Sequence, residues 1–392
     1  MAGPACSRGC RILNSDADFA AVLQRFELSG HVASVETVDS GHINRTFLVR
    51  ITHANGTKRY VLQRINSHVF PNPTAVMENI DRVTTHIGSR AASQAADRLS
   101  QQSQLILIRS RDGESFVNDG DGSFWRLWPY IYGASTFDTA QSGKTAYGAA
   151  AAFGNFQSLV HDLPGPRLQE IIPDFHNTPA RYEQFRTALE SDTCGRAKRC
   201  AQEIENAMRF EESAGALCLM HERGELPERI VHNDAKINNV LFDDKTGLPV
   251  CVIDLDTVMP GLALYDFGDL VRTVAMPVAE DARDLDSVVL QLDLYEQLVA
   301  GYIDSTIDFL SDAETEHLAL AGKIITVETG LRFLTDYLAG DTYFRIHRPE
   351  QNLDRARTQF ALAASIEEHF QSMQSITSDA RAGHAQRMSN QQ

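Results

Sequence analysis

The chain has 392 residues, 43% of them hydrophobic, enough to bury a large core and to build two lobes rather than one. Its formal net charge of −16 argues against a nucleic-acid or anionic-membrane partner, because both demand a basic footprint. Residues 1–11 hold small side chains and two arginines without an apolar leader core, and no run of about 18 uninterrupted apolar residues follows, so a soluble cytoplasmic protein is expected.

Periodicity predicts a leading helix over 16–26 and then three antiparallel strands over 33–38, 46–51 and 60–65. The turn between the first two, Ser40-Gly41-His42-Ile43-Asn44, admits two readings: an ordinary hairpin, or a loop whose Gly41 lets the backbone approach a phosphate. After Pro73, apolar residues Val76, Ile80 and Val83 fall on one helical face, with Glu78 at its edge as a solvated charge or an ion-pair partner. The stretch 91–104 is polar and rich in small residues, the composition of a mobile segment. Strands are expected over 105–109, 114–117 and 124–132. The last passes through Trp128-Pro129-Tyr130, either plain core or a hinge whose main chain meets adenine. Helical periodicity then dominates over 146–163, 179–190, 196–223, 285–303, 312–339 and 353–376, and the polar residues from Thr377 onward are expected to fray.

Six scattered cysteines without a C-x-x-C pair point to free buried thiols, and thirteen histidines without an H-E-x-x-H grouping suggest no zinc site.

The chemistry concentrates in His232-Asn233-Asp234-Ala235-Lys236-Ile237-Asn238-Asn239, followed by Val252-Ile253-Asp254. Singly, Asp and Asn near a glycine turn are ordinary turn residues. At this spacing they form the constellation that phosphoryl transfer from Mg·ATP requires: a carboxylate for the acceptor hydroxyl, an amide oxygen five residues on, and a further carboxylate. Residues 240–243 and 250–253 read as a hairpin around a polar turn. Pairing Val240 with Ile253 and Asp243 with Val250 sets Asn239 directly across from Asp254, as two hard oxygen ligands for Mg²⁺. Lys236 is placed to meet the transferring phosphoryl group as a point charge.

A strand-rich first third, a hinge, and a helical remainder carrying HNDxKxxN and then IDLD together resemble the aminoglycoside-phosphotransferase and choline-kinase branch of the protein-kinase-like fold. Within that branch the chain looks most like the N-acetylhexosamine 1-kinases, through Leu62-Gln63-Arg64-Ile65-Asn66, Val76-Met77-Glu78-Asn79-Ile80, the stretch from Asp254 to Gly261, and Arg332-Phe333-Leu334-Thr335-Asp336-Tyr337-Leu338. The resemblance implies an α+β two-lobe fold. An antiparallel-sheet nucleotide lobe would span 1–130, a mainly helical lobe with catalytic loop and acceptor site 131–376, and a disordered tail 377–392. It also implies Asp234 as catalytic base and acceptor-side ligand, Lys236 as its catalytic neighbour, Asn239 and Asp254 as Mg²⁺ ligands, and His232 and Asp266 as supports of the loop. Asp256 would stand near the metal. Gly41, Asn44, Gln63, Pro129 and Tyr130 would serve ATP, and Arg332 and Tyr343 would face the sugar, their alternative being a salt bridge and a core tyrosine.

One departure stands out. Kinases place a lysine on the third strand to hold the α- and β-phosphates, whereas Gln63 occupies that position. Either Lys236, magnesium and the Gly41-loop amides hold the phosphates, or a bulge turns Arg64 inward toward Glu78. The expected activity is γ-phosphoryl transfer to the anomeric hydroxyl of an N-acetylhexosamine. A kinase for another small alcohol, such as an aminoglycoside, choline or homoserine, and a non-catalytic nucleotide binder are the alternatives.

Overall fold

The computed structural model describes residues 16–38, 43–93 and 105–389, and the chain divides into two units, Met1–Tyr132 and Gly133–Gln392.

In the first unit, helix α1 (Asp16–Leu23) precedes strands β1 (His31–Val38), β2 (Arg45–His53) and β3 (Gly56–Arg64), helix α2 (Pro73–Ser93), and strands β4 (Val117–Asn118) and β5 (Phe124–Pro129). The five strands form one antiparallel sheet in the order β1-β2-β3-β5-β4. Alternation along the strands divides the side chains between two faces. Phe47, Val49, Ile51, Tyr60, Leu62, Trp125 and Leu127 share a buried core with Phe19, Val22 and Leu23 of α1. The Phe19 and Phe47 rings meet there at 4.7 Å.

Two sequence expectations change in this unit, and a third falls outside the described residues. Residues 105–109 form no strand, although Ile108 N–H donates to the Leu127 carbonyl at 2.9 Å. Helix α2 runs on to Ser93, well past its apolar stripe. The turn residue Gly41 and most of the segment expected to be mobile lie outside the described residues.

The second unit is mainly helical. Short β6 (Ala134–Ser135) leads to α3 (Gly143–Val160), α4 (Thr178–Ser191), α5 (Ala201–Ala214) and α6 (Ala216–Glu222). Strands β7 (Arg229–Val231), β8 (Val240–Asp243), β9 (Pro249–Val252) and β10 (Met259–Gly261) follow, then α7 (Ala263–Val274), α8 (Leu292–Thr306), α9 (Asp312–Glu316), α10 (Leu318–Ala339), α11 (Gln351–Glu368) and α12 (Phe370–Ser389). Helix α10 is buried along most of its length and, with α4, α5 and α11, encloses a core that includes Phe185, Phe210, Leu334 and Phe360.

Glycine permits the closest helix approach. A Cβ on Gly268 of α7 would stand 2.6 Å from the Ala321 carbonyl oxygen of α10, so α7 can lie this near only without a side chain there. The expected frayed tail is instead helix: α12 extends to Ser389, Thr377 is buried, and its hydroxyl bonds the Tyr295 hydroxyl at 2.9 Å. Its few apolar residues, Met373 among them, reach a neighbouring helix, which a composition count overlooks. The four described cysteines are free, but Cys194 is exposed rather than buried. No helix among the described residues is long and apolar enough to cross a membrane.

Candidate active site

The catalytic-loop motif leaves β7 and returns into β8, and its conformation is held from behind by one carboxylate. Asp266, on the first turn of α7 and fully buried, accepts the N–H of His232 at 2.9 Å and of Asn233 at 2.7 Å. It also accepts Gln157 Nε2 of α3 at 2.7 Å, and the Gln157 carboxamide oxygen takes the Tyr302 hydroxyl at 2.6 Å. Burial pushes the Asp266 carboxyl above its usual range, and His232 and these donors oppose that only in part.

His232 meets the Phe153 and Phe156 rings edge-on, at 5.2 and 5.9 Å. Asp234 N–H donates to its Nδ1 at 3.3 Å, which leaves Nε2 to donate to the Ile253 carbonyl at 3.0 Å. This bond ties the loop to the segment that leaves β9 toward Asp254. Asn233 sits at φ 63°, a left-handed conformation that Asn tolerates better than most residues, and its amide donates to the Thr257 carbonyl at 3.0 Å. The turn at Asn233 brings Asp234 out of the core.

At Asp234 two side chains converge. Asn239 Nδ2 donates to its main-chain oxygen and to Oδ2, both at 2.9 Å, and Lys236 Nζ pairs with Oδ2 at 2.9 Å. With both amide hydrogens spent on Asp234, Asn239 keeps its oxygen as the remaining polar atom. Burial pushes the Asp234 carboxyl up, but Lys236, His232 and Arg272 outweigh it and hold the carboxyl down at about 2. Because the folded value lies below the ordinary 3.8, the pair's contribution is complete above that pH and lost only as pH falls through about 2. Lys236 shows the converse: burial lowers it, yet Asp234 and Asp254 raise it to about 12. Arg272, itself fixed by Asp269 at 2.6 Å and Glu280 at 2.7 Å, adds positive charge from α7.

The hairpin after the loop differs from the expected register by one residue. Val240 pairs with Val252 and Leu241 with Cys251, and a bulge then sets Phe242 against Pro249. The turn is tightened by the Asp243 carboxylate, which accepts the N–H groups of Lys245 and Thr246. Pro249, lacking an N–H, enters the ladder where none is needed. Asn239 therefore faces Ile253, whose N–H donates to its carbonyl at 2.8 Å, not Asp254. Asp254 comes next in a left-handed turn at φ 64°, ψ 59°, exposed and within charge reach of Lys236. Asp256 follows on a buried 3-10 turn.

For magnesium, the Asn239 amide oxygen and the Asp254 carboxylate are hard donors of the right kind. Among the described residues no group of three or more His, Cys, Asp or Glu could cage an ion. So sparse a protein set fits a cation that arrives with phosphate and water ligands of its own.

Arg332 and Tyr343 are held near each other by aromatic contacts and by one capping carboxylate. The Arg332 guanidinium stands 4.8 Å from the Phe175 ring and 5.6 Å from the Phe344 ring, and it makes no ion pair among the described residues. Tyr343 is 52% exposed, so neither a salt bridge nor a core tyrosine describes this pair. Asp336 of the RFLTDYL string accepts the N–H groups of Thr342, Tyr343 and Phe344 at 2.8–2.9 Å and so shapes the segment bearing Tyr343. Sequence reading missed this role, as it missed Gln157, Thr257 and Arg272. Asp336 is legible afterwards as an acid at a helix end followed by a tight turn, whereas Gln157 carries no sequence signal.

In the first unit, the bulge that would turn Arg64 inward is not formed: Gln63 pairs with Arg126 and Arg64 with Trp125 in unbroken register. Arg64 faces the α1 side, 5.9 Å from the Trp125 ring. Gln63 is committed within the sheet. Its oxygen accepts Arg126 Nε at 2.9 Å and Trp128 Nε1 at 3.1 Å, and its nitrogen donates to Thr46 at 3.2 Å. The side chain read as a nucleotide ligand thus orients a buried arginine on the neighbouring strand. Asn44 accepts the Asn66 N–H at 2.9 Å. Tyr130 N–H donates to the Arg59 carbonyl at 3.2 Å and Pro129 has none, so neither residue leaves a main-chain donor for a base.

Residues 34–298 match the APH phosphotransferase enzyme family. Among solved structures, an aminoglycoside phosphotransferase from Alicyclobacillus acidocaldarius aligns at TM-score 0.58 and 14% identity, covering 96% of this chain and 99% of that one. Spectinomycin phosphotransferase APH(9)-Ia, in complex with ADP and spectinomycin, aligns at 0.57 and 11%, covering 91% and 99%. A choline kinase from Cryptosporidium parvum aligns at 0.54 and 14%, covering 92% and 98%. The shared architecture is the protein-kinase-like fold.

Proposed function

The chain belongs to the APH phosphotransferase enzyme family, and from that premise we propose that it transfers the γ-phosphoryl group of ATP to the anomeric hydroxyl of an N-acetylhexosamine, giving the sugar 1-phosphate and ADP. The observation that carries the catalytic part is Asp234: a carboxylate fixed by Asn239 and Lys236, beside an exposed, left-handed Asp254.

A carboxylate held at about 2 is too weak a base to strip a free hydroxyl. It aligns the acceptor O–H instead, and receives the proton as the new oxygen–phosphorus bond forms and the bond to the β-phosphate oxygen breaks. Most of the catalysis is then alignment and charge stabilisation. Lys236 offers its ammonium to the phosphoryl oxygens from its place between Asp234 and Asp254. Asn239 and Asp254 would hold the magnesium ion, which when bound with the nucleotide neutralises charge on the β- and γ-phosphates.

The sugar assignment rests on the sequence strings shared with the N-acetylhexosamine 1-kinases and on charge. Arg332 is flanked by Phe175 and Phe344, and Arg181 is near enough that Arg332, after burial, lowers its pKa. With Glu328 and Asp174 as counter-charges, these guanidinium groups form a polar, charge-balanced surface that suits a neutral polyol, whose wrong epimer would leave polar groups unpaired.

A ³¹P NMR panel of N-acetylglucosamine, N-acetylgalactosamine, kanamycin and choline tests this directly. Phosphorylation of a sugar at C1 is expected, and phosphorylation of only the cationic alcohols would replace the sugar reading. Asp234→Asn should lower ADP formation on the order of 10²-fold or more; unchanged turnover would remove Asp234 from the mechanism.

A further inference from the structure

Beyond the catalytic loop, the second unit contains a cavity of about 540 Å³ where α10 ends and α11 begins. In a chain of net charge −16 its lining gathers three arginines, Arg196, Arg199 and Arg348, with His347, beside the acids Asp341 and Glu350.

The arginines differ in how they are held. Arg196 lies over the Tyr337 ring at 4.6 Å and is fixed by the Asp341 carboxylate and the Tyr337 carbonyl at 2.6 and 2.7 Å. Arg348 is fixed by Asp354 at 2.5 Å and Asp281 at 3.1 Å. Both remain between a quarter and a third exposed. Arg199 is exposed; its N–H donates to the Arg196 carbonyl at 2.9 Å, but its guanidinium forms no ion pair or hydrogen bond among the described residues. Two anchored guanidinium groups, an uncommitted one and an aromatic wall form a pre-organised receptor for oxyanions, because a planar fork of donors matches phosphate geometry and its ordering cost is already met. The volume exceeds what inorganic phosphate fills and lies in the range of small-molecule sites.

We propose that this cavity is a second ligand site, distinct from the phosphoryl-transfer site, that binds a phosphorylated small molecule. Arg199 contributes the cation that closes on the phosphate, and Arg196 and Arg348 line it. Occupancy bears on the segment carrying Tyr343, because Asp341, the partner of Arg196, stands in a left-handed turn at φ 60° directly before it. The ligand therefore draws on the same arginine that steadies that turn.

The test is titration calorimetry of the full chain with N-acetylglucosamine 1-phosphate and, separately, inorganic phosphate, comparing wild type with Arg199→Glu and Arg199→Lys. If the sugar-kinase reading holds, the wild type binds two equivalents of the sugar phosphate and Arg199→Glu binds one. If that reading fails, the counts are one and none, so the two proposals are judged separately. Loss of one equivalent, or weakening of its affinity by on the order of tenfold or more, is expected, with Arg199→Lys intermediate. Arg199 is exposed, so the melting temperature should not move. Equal stoichiometry and affinity in wild type and Arg199→Glu would overturn the site, as would binding of inorganic phosphate that is indifferent to residue 199.

Discussion

Asp234 and Asp254 do opposite things with the same functional group. Asp234 is half-buried and tied by an amide and an ammonium, while Asp254 is exposed, in a left-handed turn, and within charge reach of Lys236. A non-glycine residue in the left-handed region costs on the order of 1 kcal/mol or more, less for Asp than for most, and such costs gather at functional positions. Asp254→Gly should therefore hold or slightly raise the melting temperature while abolishing turnover. A variant that melted well below wild type, or that retained activity, would contradict the separation of strain from stability. Gln63 shows the reverse case. The residue at a position usually given to a phosphate-binding lysine turns its carboxamide into the sheet, onto Arg126, Trp128 and Thr46.

At the scale of elements, the loop chemistry depends on helix α7, whose first turn supplies Asp266 and whose third supplies Arg272. Helix α7 reaches its place because Gly268 lets it lie against α10. An added methyl would meet the Ala321 carbonyl and Ile325 Cγ1, each at 2.6 Å. Gly268→Ala should cost roughly 1–3 kcal/mol by overpacking, and it should lower kcat by moving Asp266 off the His232 and Asn233 N–H groups. Gly383→Ala on α12, where an added Cβ meets nothing, is the control and should be neutral or mildly stabilising. Urea unfolding of both variants decides the matter, since equal midpoints would mean that the α7–α10 approach is not constrained at Gly268. The hairpin register belongs to this scale too. Alternating apolar residues revealed both strands, but a bulge and the Asp243-capped turn moved the pairing by one, and neither leaves a trace in hydrophobic pattern.

For the whole molecule, a net charge of −16 sets a field that draws cations toward the surface and repels anions. Raising ionic strength from about 0.02 to about 0.5 M shortens the screening length from roughly 20 to roughly 4 Å. A neutral sugar acceptor should show a KM unchanged within about twofold across that range, whereas a cationic acceptor's KM should climb. Steady-state kinetics at the two salt concentrations separate these outcomes, and a sugar KM that rises manyfold would mean that the acceptor site does not see its substrate as neutral.

The catalytic loop, the hairpin that follows it and the order of strands before helices were legible in the amino-acid sequence, because local spacing and periodicity encode them. Asp234, Asn239 and Asp254 could be singled out by residue type and interval alone. The roles of Gln157, Arg272 and Asp336, the commitment of Gln63, and the helical course of residues 377–389 needed the fold. Most depend on a partner far along the chain or on an exact register, as when Gln157 of α3 meets Asp266 of α7, whereas Asp336 caps N–H groups only six to eight residues on; a linear pattern carries no information about which distant groups a packed core brings within 3 Å.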